Sequence, residues 1–201
     1  RLRAPVWLNW IQFPLPLQTL KLDKLLRKHD ELAKDFHSYV IAYQEMKEET
    51  GLLYLHLNKT NDLKKKLIIH DRLNIAHELD LDQMEFLVQR KATLVYPHIE
   101  TLIQKGELGA AKTAITNLVH LLHDRYKKGI FDKDPDLNTN FGFIDTCALQ
   151  IDIGRFREGG NREDRDEILR ITDNFRQWLD QRSPELSSHL LTEVESVRHE
   201  V

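Results

Sequence analysis

The sequence is poor in cysteine, in net charge and in long apolar runs, and each shortage excludes a class of protein. Its one cysteine, Cys147, cannot build a disulfide framework within the chain and is compatible with a reducing compartment. The 29 basic and 32 acidic residues give a net charge of -3, which argues against a general nucleic-acid binder. No apolar stretch approaches the roughly 20 residues of a membrane-spanning helix, and no signal peptide is visible. We therefore expect a cytoplasmic protein without a membrane span.

Glycine is missing from the first quarter of the chain. All eight glycines lie at or after Gly51, and none belongs to a Gly-x-Gly-x-x-Gly phosphate-binding fingerprint. A dinucleotide-binding fold is therefore not indicated. The sequence contains no Gly-x-Ser-x-Gly or Ser-His-Asp arrangement, so it does not predict a serine hydrolase. With 201 residues, of which 41% are hydrophobic, the chain can bury the core of one domain or of two small lobes.

Apolar periodicity predicts a largely helical chain. Helices are expected from about Leu20 to Glu49, from Ala110 to about Tyr126, over about residues 166–179, and from Pro184 onward. The second of these carries a stripe at three- and four-residue spacing, which we expect to form the buried centre of a helical lobe. The stripe consists of Ala114, Ile115, Leu118, Val119, Leu122 and Tyr126, and burial is predicted for Ile115, Leu118, Val119 and Leu122.

Short extended segments are predicted between the first two helices. The runs Leu52–Leu57 and Lys66–His70 are strand candidates, and we expect them to form an antiparallel pair. Asp82 is then expected to cap a helix that continues to about Lys105 and is kinked at Pro97. Cys147 lies in a short apolar run, which favours a buried and inert thiol.

The most informative segment runs from Lys127 to Phe156. An acidic loop follows the long helix, and a short apolar run leads from it to a further acid before a glycine. The polar residues of interest are Asp132, Lys133, Asp134, Asp136, Asn140 and Asp152. Phosphate chemistry uses such groups, because one carboxylate orients a hydroxyl while an amide oxygen and a second carboxylate hold magnesium. Taken singly, the same residues are also ordinary turn formers.

The order of these residues resembles the catalytic core of the protein-kinase-like superfamily, which carries an H-R-D-x-x-x-x-N loop followed by D-F-G. Asp132-Lys133-Asp134 stands where His-Arg-Asp would be, Asn140 matches the loop asparagine, and Asp152-Ile153-Gly154 matches Asp-Phe-Gly. The sequence departs from the family pattern in three ways. Aspartate replaces the histidine, isoleucine replaces the phenylalanine, and one extra residue separates Asp134 from Asn140.

The resemblance implies an α+β, predominantly helical fold, with a kinase-like helical lobe and a small, incomplete antiparallel sheet region. Residues 1–82 would form part of an N-terminal lobe, and residues 83–201 would form the C-terminal lobe that carries the acidic loop. The implied activity is phosphoryl transfer that depends on ATP and Mg²⁺, from the nucleotide to a hydroxyl of a protein or small-molecule acceptor. We expect a divergent bacterial branch of the family.

The same resemblance implies roles for the loop residues. Asn140 and Asp152 would hold Mg²⁺ against the nucleotide phosphates. Asp134 would accept or orient the acceptor hydroxyl, and Asp132 or Asp136 could take that role instead, because the extra residue blurs the alignment.

Three further residues receive nucleotide-related roles from the resemblance. Lys133 would touch the transferred phosphate as a point charge. Glu45 is the candidate for the family's helix glutamate, with Glu48 and Glu49 as alternatives. Asp80 marks the segment near the hinge between lobes, where backbone groups meet the nucleotide base.

Two family features have no counterpart before the first helix, namely the glycine-rich loop over the phosphates and the strand lysine that pairs with them. We therefore expect an incomplete chain that exposes apolar surface on its strand pair and has little or no activity by itself. The alternative is a pseudokinase or a helical interaction module. Such a module would bind a protein partner through the Trp7–Trp10 segment or through the last two helices.

Overall fold

The described part of the chain alternates helices with short antiparallel strands. The computed structural model describes residues 33–159 and 167–198, so the Trp7–Trp10 segment and the start of the first predicted helix lie outside the described residues. The helices are α1 (33–45), α2 (Lys47–Thr50), α3 (Val95–Gln104), α4 (Leu108–Lys127), α5 (Glu167–Asp180) and α6 (Pro184–Arg198). The strands are β1 (Leu52–His56), β2 (Lys66–His70), β3 (Ala76–Asp80), β4 (Phe86–Gln89), β5 (Thr93–Leu94), β6 (Ile130–Asp132), β7 (Phe141–Ile144), β8 (Cys147–Gln150) and β9 (Phe156–Glu158). This mixture confirms the α+β prediction with small antiparallel sheets.

The strands pair differently from the sequence prediction. β1 pairs with β4 and β2 pairs with β3, so the predicted pairing of the first two strands is wrong. The helix expected to start at Asp82 is also wrong over residues 86–89, which form β4. A four-residue apolar run does not distinguish a strand from a helix by periodicity, and pairing with β1 decides the outcome here.

Helix α3 begins only at Val95, which changes the effect of Pro97. The proline lies in the first helical turn, where the backbone N–H groups have no partner inside the helix. The predicted kink is therefore wrong, because the missing N–H of Pro97 removes no helical hydrogen bond.

Asp82 closes the base of the β2–β3 hairpin instead of capping a helix. Its Oδ1 accepts the backbone N–H of Asp62 at 3.0 Å and of Leu63 at 3.1 Å, and its Oδ2 accepts that of Lys64 at 2.7 Å. The Thr60 hydroxyl also donates to Oδ1. The bond from Thr60, together with the backbone N–H donors, holds the pKa of Asp82 below its usual value.

We expect Asp82→Ala to accelerate hydrogen exchange at the amides of Asp62, Leu63 and Lys64, because all three lose their acceptor. The lowered pKa means that the carboxylate stabilises this loop at neutral pH. That contribution is lost as the pH falls through the folded-state pKa. Exchange measured by NMR, with Asp62→Ala as the control, tests both statements. Unchanged exchange at the three amides in Asp82→Ala would contradict the assignment.

Helix α4 is the centre of the main core. The four stripe residues for which burial is predicted are buried, which confirms that prediction, while Tyr126 at the end of the stripe is half-buried. Helices α3, α5 and α6 and the β7–β8 hairpin contribute to the same core cluster. Gly142 of β7 lets β5 approach closely, because a Cβ at that position would lie 2.6 Å from the carbonyl oxygen of Thr93. The main core, with the β7–β8 hairpin packed on α4, supports the segments that carry the acidic residues.

A smaller core cluster joins α1 to the strands. It contains Ile41, Ala42, Met46, Leu52, Ile130, Ile153 and Phe156. Helix α1 thereby packs on the strand pair β6–β9, which flanks the acidic loop. On α1 itself, Ile41 and Ala42 are buried, whereas Tyr43 is exposed.

Two smaller points concern exposure. Cys147 begins β8 at the hairpin turn and is exposed, so the expectation of a buried thiol is wrong. None of the helices within residues 33–159 and 167–198 combines the length and the hydropathy needed to cross a bilayer.

Candidate functional site

The acidic residues lie on two segments that one strand pair brings together. β6 and β9 are antiparallel, and Asp132 at the end of β6 is the register partner of Phe156 at the start of β9. The acidic loop therefore begins, after Asp132, beside the point where the segment that contains Asp152 ends, before Phe156. Between them the chain forms the β7–β8 hairpin, with Phe141 opposite Gln150. Residues far apart in sequence thus meet at one end of this hairpin.

Asn140 connects the loop to the segment that follows β8. Its side-chain Nδ2 donates to the carbonyl oxygen of Asp134 at 2.6 Å, and its own carbonyl oxygen accepts the N–H of Ile151 at 2.8 Å and of Asp152 at 3.4 Å. The Thr139 hydroxyl lies 2.9 Å from Asn140 Oδ1 and shares its one hydrogen between that atom and the Asp136 carboxylate. Asn140 is buried and fixed by these bonds, so the two predicted metal ligands stand at adjoining backbone positions.

Asp152 is exposed and lies on the segment that helix α1 covers. Its Oδ1 accepts the N–H of Gly154 at 3.0 Å, a short turn typical of aspartate before glycine. Ser38 of α1 donates to the carbonyl oxygen of Ile153 at 2.5 Å and accepts the N–H of Phe156 at 2.6 Å. Two hydrogen bonds from one buried serine therefore fix the backbone on the C-terminal side of Asp152.

Tyr39, the neighbour of Ser38, lies close to Asp35 and Asp152. Burial raises the pKa of its hydroxyl, and the charges of Asp35 and Asp152 raise it further. The hydroxyl therefore stays protonated at neutral pH and can act as a hydrogen-bond donor. The sequence does not indicate Ser38 and Tyr39 as residues of the site. The one signal for them is that Ser38 lies three residues before Ile41, and Tyr39 three before Ala42, on one helix face.

Asp134 and Lys133 are exposed on the loop. Arg155 Nη1 lies 3.1 Å from Asp134 Oδ2, and both side chains are more than half exposed, so this ion pair contributes little to stability. It does hold the Asp134 carboxylate towards the segment that contains Asp152. Asp136 is exposed too, but its carboxylate accepts from the Asn138 N–H and the Thr139 hydroxyl and serves the turn.

Asp132 is buried and structural in its contacts. Its Oδ1 accepts the N–H of Asp134 at 3.0 Å, and its Oδ2 accepts the side-chain N–H of Gln150. Burial raises the pKa of Asp132, although the Asp134 N–H and the charge of Arg125 oppose that rise. The buried Asp132 carboxylate holds the loop backbone through its bond to the Asp134 N–H, while the side chain of Asp134 is exposed to solvent.

A buried polar network continues from Asp132 into the helical core. Arg125 of α4 donates from Nη1 to Gln150 Oε1 at 2.8 Å and lies 3.9 Å from a carboxylate oxygen of Asp132 and of Glu167. Burial lowers the pKa of Arg125, and both carboxylates oppose the shift, so the guanidinium remains charged. Sequence reasoning missed Arg125, although its position one turn after Leu121 and Leu122, in line with the apolar side of α4, is itself a signal.

The two nucleotide candidates outside the loop are placed elsewhere. Glu45 is exposed at the end of α1, where its carbonyl oxygen accepts from Lys128 Nζ at 2.6 Å, and Lys128 also pairs with Glu49. Asp80 ends β3, and its carboxylate accepts the N–H of Asp82 at 3.0 Å. The structure therefore does not bring Asp80 together with the residues of the acidic loop.

The donor set of the loop is made of hard oxygen atoms. In residues 33–159 and 167–198, no group of three or more histidine, cysteine, aspartate or glutamate side chains is arranged to bind a metal. Mg²⁺ commonly uses only one or two carboxylates and completes its octahedron with waters and substrate phosphates. Asn140 Oδ1 and the Asp152 carboxylate are oxygen atoms of this kind, and each already accepts one hydrogen bond within the chain.

Comparison of the chain with protein-family models, with curated proteins and with solved structures finds no match.

Proposed function

We propose that residues 130–156 bind a magnesium–nucleotide complex and serve phosphoryl transfer to a hydroxyl, as the resemblance to the protein-kinase-like superfamily implies. One observation carries the proposal. The β6–β9 pair and the β7–β8 hairpin bring Asp134, Asn140 and Asp152 onto adjoining segments, joined by the hydrogen bonds of Asn140. Packing of α1 on the segment after Asp152 supports the same assignment.

In this proposal each residue has a distinct task. Asp152 and Asn140 supply oxygen ligands to Mg²⁺, which when bound neutralises charge on the nucleotide phosphates. Asp134 orients the acceptor hydroxyl. Among the three loop aspartates, Asp132 is buried and Asp136 caps a turn, whereas the Asp134 carboxylate is exposed and caps no turn. Lys133 is exposed and available to the transferred phosphate. Asp132 positions Asp134 through its backbone N–H.

The test is Mg²⁺-dependent binding of ATP or ADP to the 201-residue chain, measured by calorimetric or NMR titration. We expect Asp152→Asn to weaken binding by about tenfold or more, because one lost metal contact of about 1.4 kcal/mol corresponds to that factor. We expect Asp134→Asn to leave nucleotide binding nearly unchanged, since its proposed partner is the acceptor. Phosphate transfer should be slow, since the sequence has no glycine-rich loop.

A matched control lies at the other end of the same hairpin. Asp145 occupies the β7–β8 turn with a φ of 53, a conformation that asparagine tolerates well, so Asp145→Asn removes the same charge without touching the site. It should bind as the wild-type chain does. Absence of Mg²⁺-dependent binding, or equal losses in Asp145→Asn and Asp152→Asn, would overturn the proposal.

The second candidate function is a non-catalytic interaction module. The observation that favours it is the cluster of exposed aliphatic side chains on the β2–β3 hairpin. A folded chain that binds no nucleotide but associates through that hairpin would support this candidate over the first.

A further inference from the structure

Exposed aliphatic side chains are concentrated on the β2–β3 hairpin. Five of them, each between 42% and 79% exposed, lie between residues 67 and 75. They are Leu67, Ile68, Ile69, Leu73 and Ile75. Scattered apolar side chains are normal on a protein surface, but a contiguous patch of them marks an interaction site.

The register of the hairpin separates these side chains onto two faces. Leu67 pairs with Leu79 and Ile69 with His77, and the ladder continues to Asp71 and Ile75. Alternation along each strand puts these odd-numbered residues on one face, which we call the apolar face. The opposite face carries Ile68 among polar residues, with Lys66 bonded to Glu78 at 2.6 Å.

Nothing in the described chain covers the apolar face. β2 and β3 pair only with each other, and no other helix or strand of residues 33–159 and 167–198 packs extensively against them. A two-stranded hairpin alone in water is marginally stable at best. A partner that buries the apolar face would therefore stabilise the hairpin as well as the contact.

The apolar face has a basic residue at one end and an acidic one at the other. The acidic end is already engaged within the hairpin, because the Asp71 carboxylate accepts the N–H groups of Leu73 and Ile75 and lies 3.0 Å from His77 Nε2. Alternation along β2 places Lys65 and Asp71 at the two ends of this face, with Leu67 and Ile69 between them. The ladder reaches Lys65, because its carbonyl oxygen accepts the N–H of Leu81. Turning a second hairpin end for end over the first puts Lys65 opposite Asp71 of the second copy, and Leu67 opposite Ile69. The reciprocal pair forms at the other end, as an isologous two-fold contact requires.

We propose that the apolar face of the β2–β3 hairpin binds the same face of a second copy of this chain in this antiparallel arrangement. Leu67, Ile69, Ile75 and Leu79 are the apolar members of this face and surround His77, which is paired with Ile69, while Lys65 and Asp71 set the direction. A standard interface buries about 800 Å² on each partner, more than one short hairpin presents. The dimer is therefore weak and depends on protein concentration, and it is independent of nucleotide binding.

Sedimentation of the 201-residue chain over a wide concentration range tests the proposal. We expect reversible monomer–dimer equilibrium, with Ile69→Lys raising the dissociation constant about tenfold or more, because it places a charge on the apolar face. Ile68→Lys is the matched control. It makes the same change at the adjacent, more exposed residue on the opposite face, next to Glu78, and should dimerise as the wild type does.

A second variant keeps the test valid if Ile69→Lys disturbs the hairpin. Lys65→Glu changes an exposed residue and places like charges opposite Asp71 of the second copy, so it should also weaken the dimer, and less so at high salt. Circular dichroism checks that each variant is folded. A wild-type chain that stays monomeric up to about 1 mM, the weak limit of specific association, would overturn the proposal. So would equal losses in Ile68→Lys and Ile69→Lys.

Discussion

Replacing Arg125 with leucine is expected to lower the free energy of unfolding by about 3–5 kcal/mol. Arg125 is 3% exposed and is the positive group between the buried carboxylates of Asp132 and Glu167. Leucine restores apolar packing but leaves both carboxylates in the core without that charge. It also removes the donor to Gln150, whose side chain links Arg125 to Asp132. The large loss comes from buried negative charge that loses the Arg125 guanidinium, and not from the strength of the pair itself.

The loss should depend on pH. The pKa of Asp132 is already raised by burial, and removing Arg125 removes a charge that opposes the rise. For an acid whose folded-state pKa is raised, ionisation destabilises the fold at pH values above that pKa. The penalty disappears as the pH falls towards the unfolded-state value of about 4. The difference between the variant and the wild type is therefore largest near neutral pH and smaller in mild acid.

Urea unfolding at several pH values measures both effects. Arg170→Ala is the control, because Arg170 is exposed on α5 and its replacement should change stability by no more than about 0.5 kcal/mol. A loss in Arg125→Leu that matches the control, or one that grows as the pH falls, would contradict the assignment of a buried network.

The parts of the fold that the sequence predicts are those set by local periodicity. The stripe of α4 recurs at three- and four-residue spacing within a helix of 20 residues, so burial of Leu118 and its neighbours follows from spacing alone. The β2–β3 hairpin instead has Asp82 at its base, where the carboxylate accepts backbone N–H groups of the loop of residues 60–64. A single aspartate before an apolar run predicts a helix cap equally well, so these hydrogen bonds cannot be read from the sequence.

The candidate site divides in the same way. The order of Asp134, Asn140 and Asp152 is visible in the sequence because these residues share one short segment. The positioning of that segment is not visible, because it depends on Ser38 and Arg125, which come from two helices distant in sequence. Asp132 shows the consequence, since sequence order proposes it as an alternative base, while the structure places it beneath the loop with its oxygens already bonded.

Leu118→Ala is expected to lower the free energy of unfolding by about 2–5 kcal/mol. Leu118 has no accessible surface and lies in the middle of α4, within the cluster that unites α3, α5, α6 and β7–β8. Alanine removes three carbon atoms and leaves a cavity that packed helices on several sides cannot easily close. Helix propensity does not explain a loss, because alanine is the better helix former. The full effect therefore reports packing.

Leu191→Ala is the matched control for this prediction, because it makes the same chemical change on helix α6 at a side chain that is 38% exposed. Partial exposure reduces both the transfer free energy and the cavity, so the loss there should be below about 1.5 kcal/mol. Chemical denaturation of both variants at one pH provides the comparison. If Leu118→Ala destabilised the chain no more than Leu191→Ala, α4 would not be the centre of the core. The β7–β8 hairpin that carries Asn140 and Asp152 at its base would then lack the rigid support on which the proposed site depends.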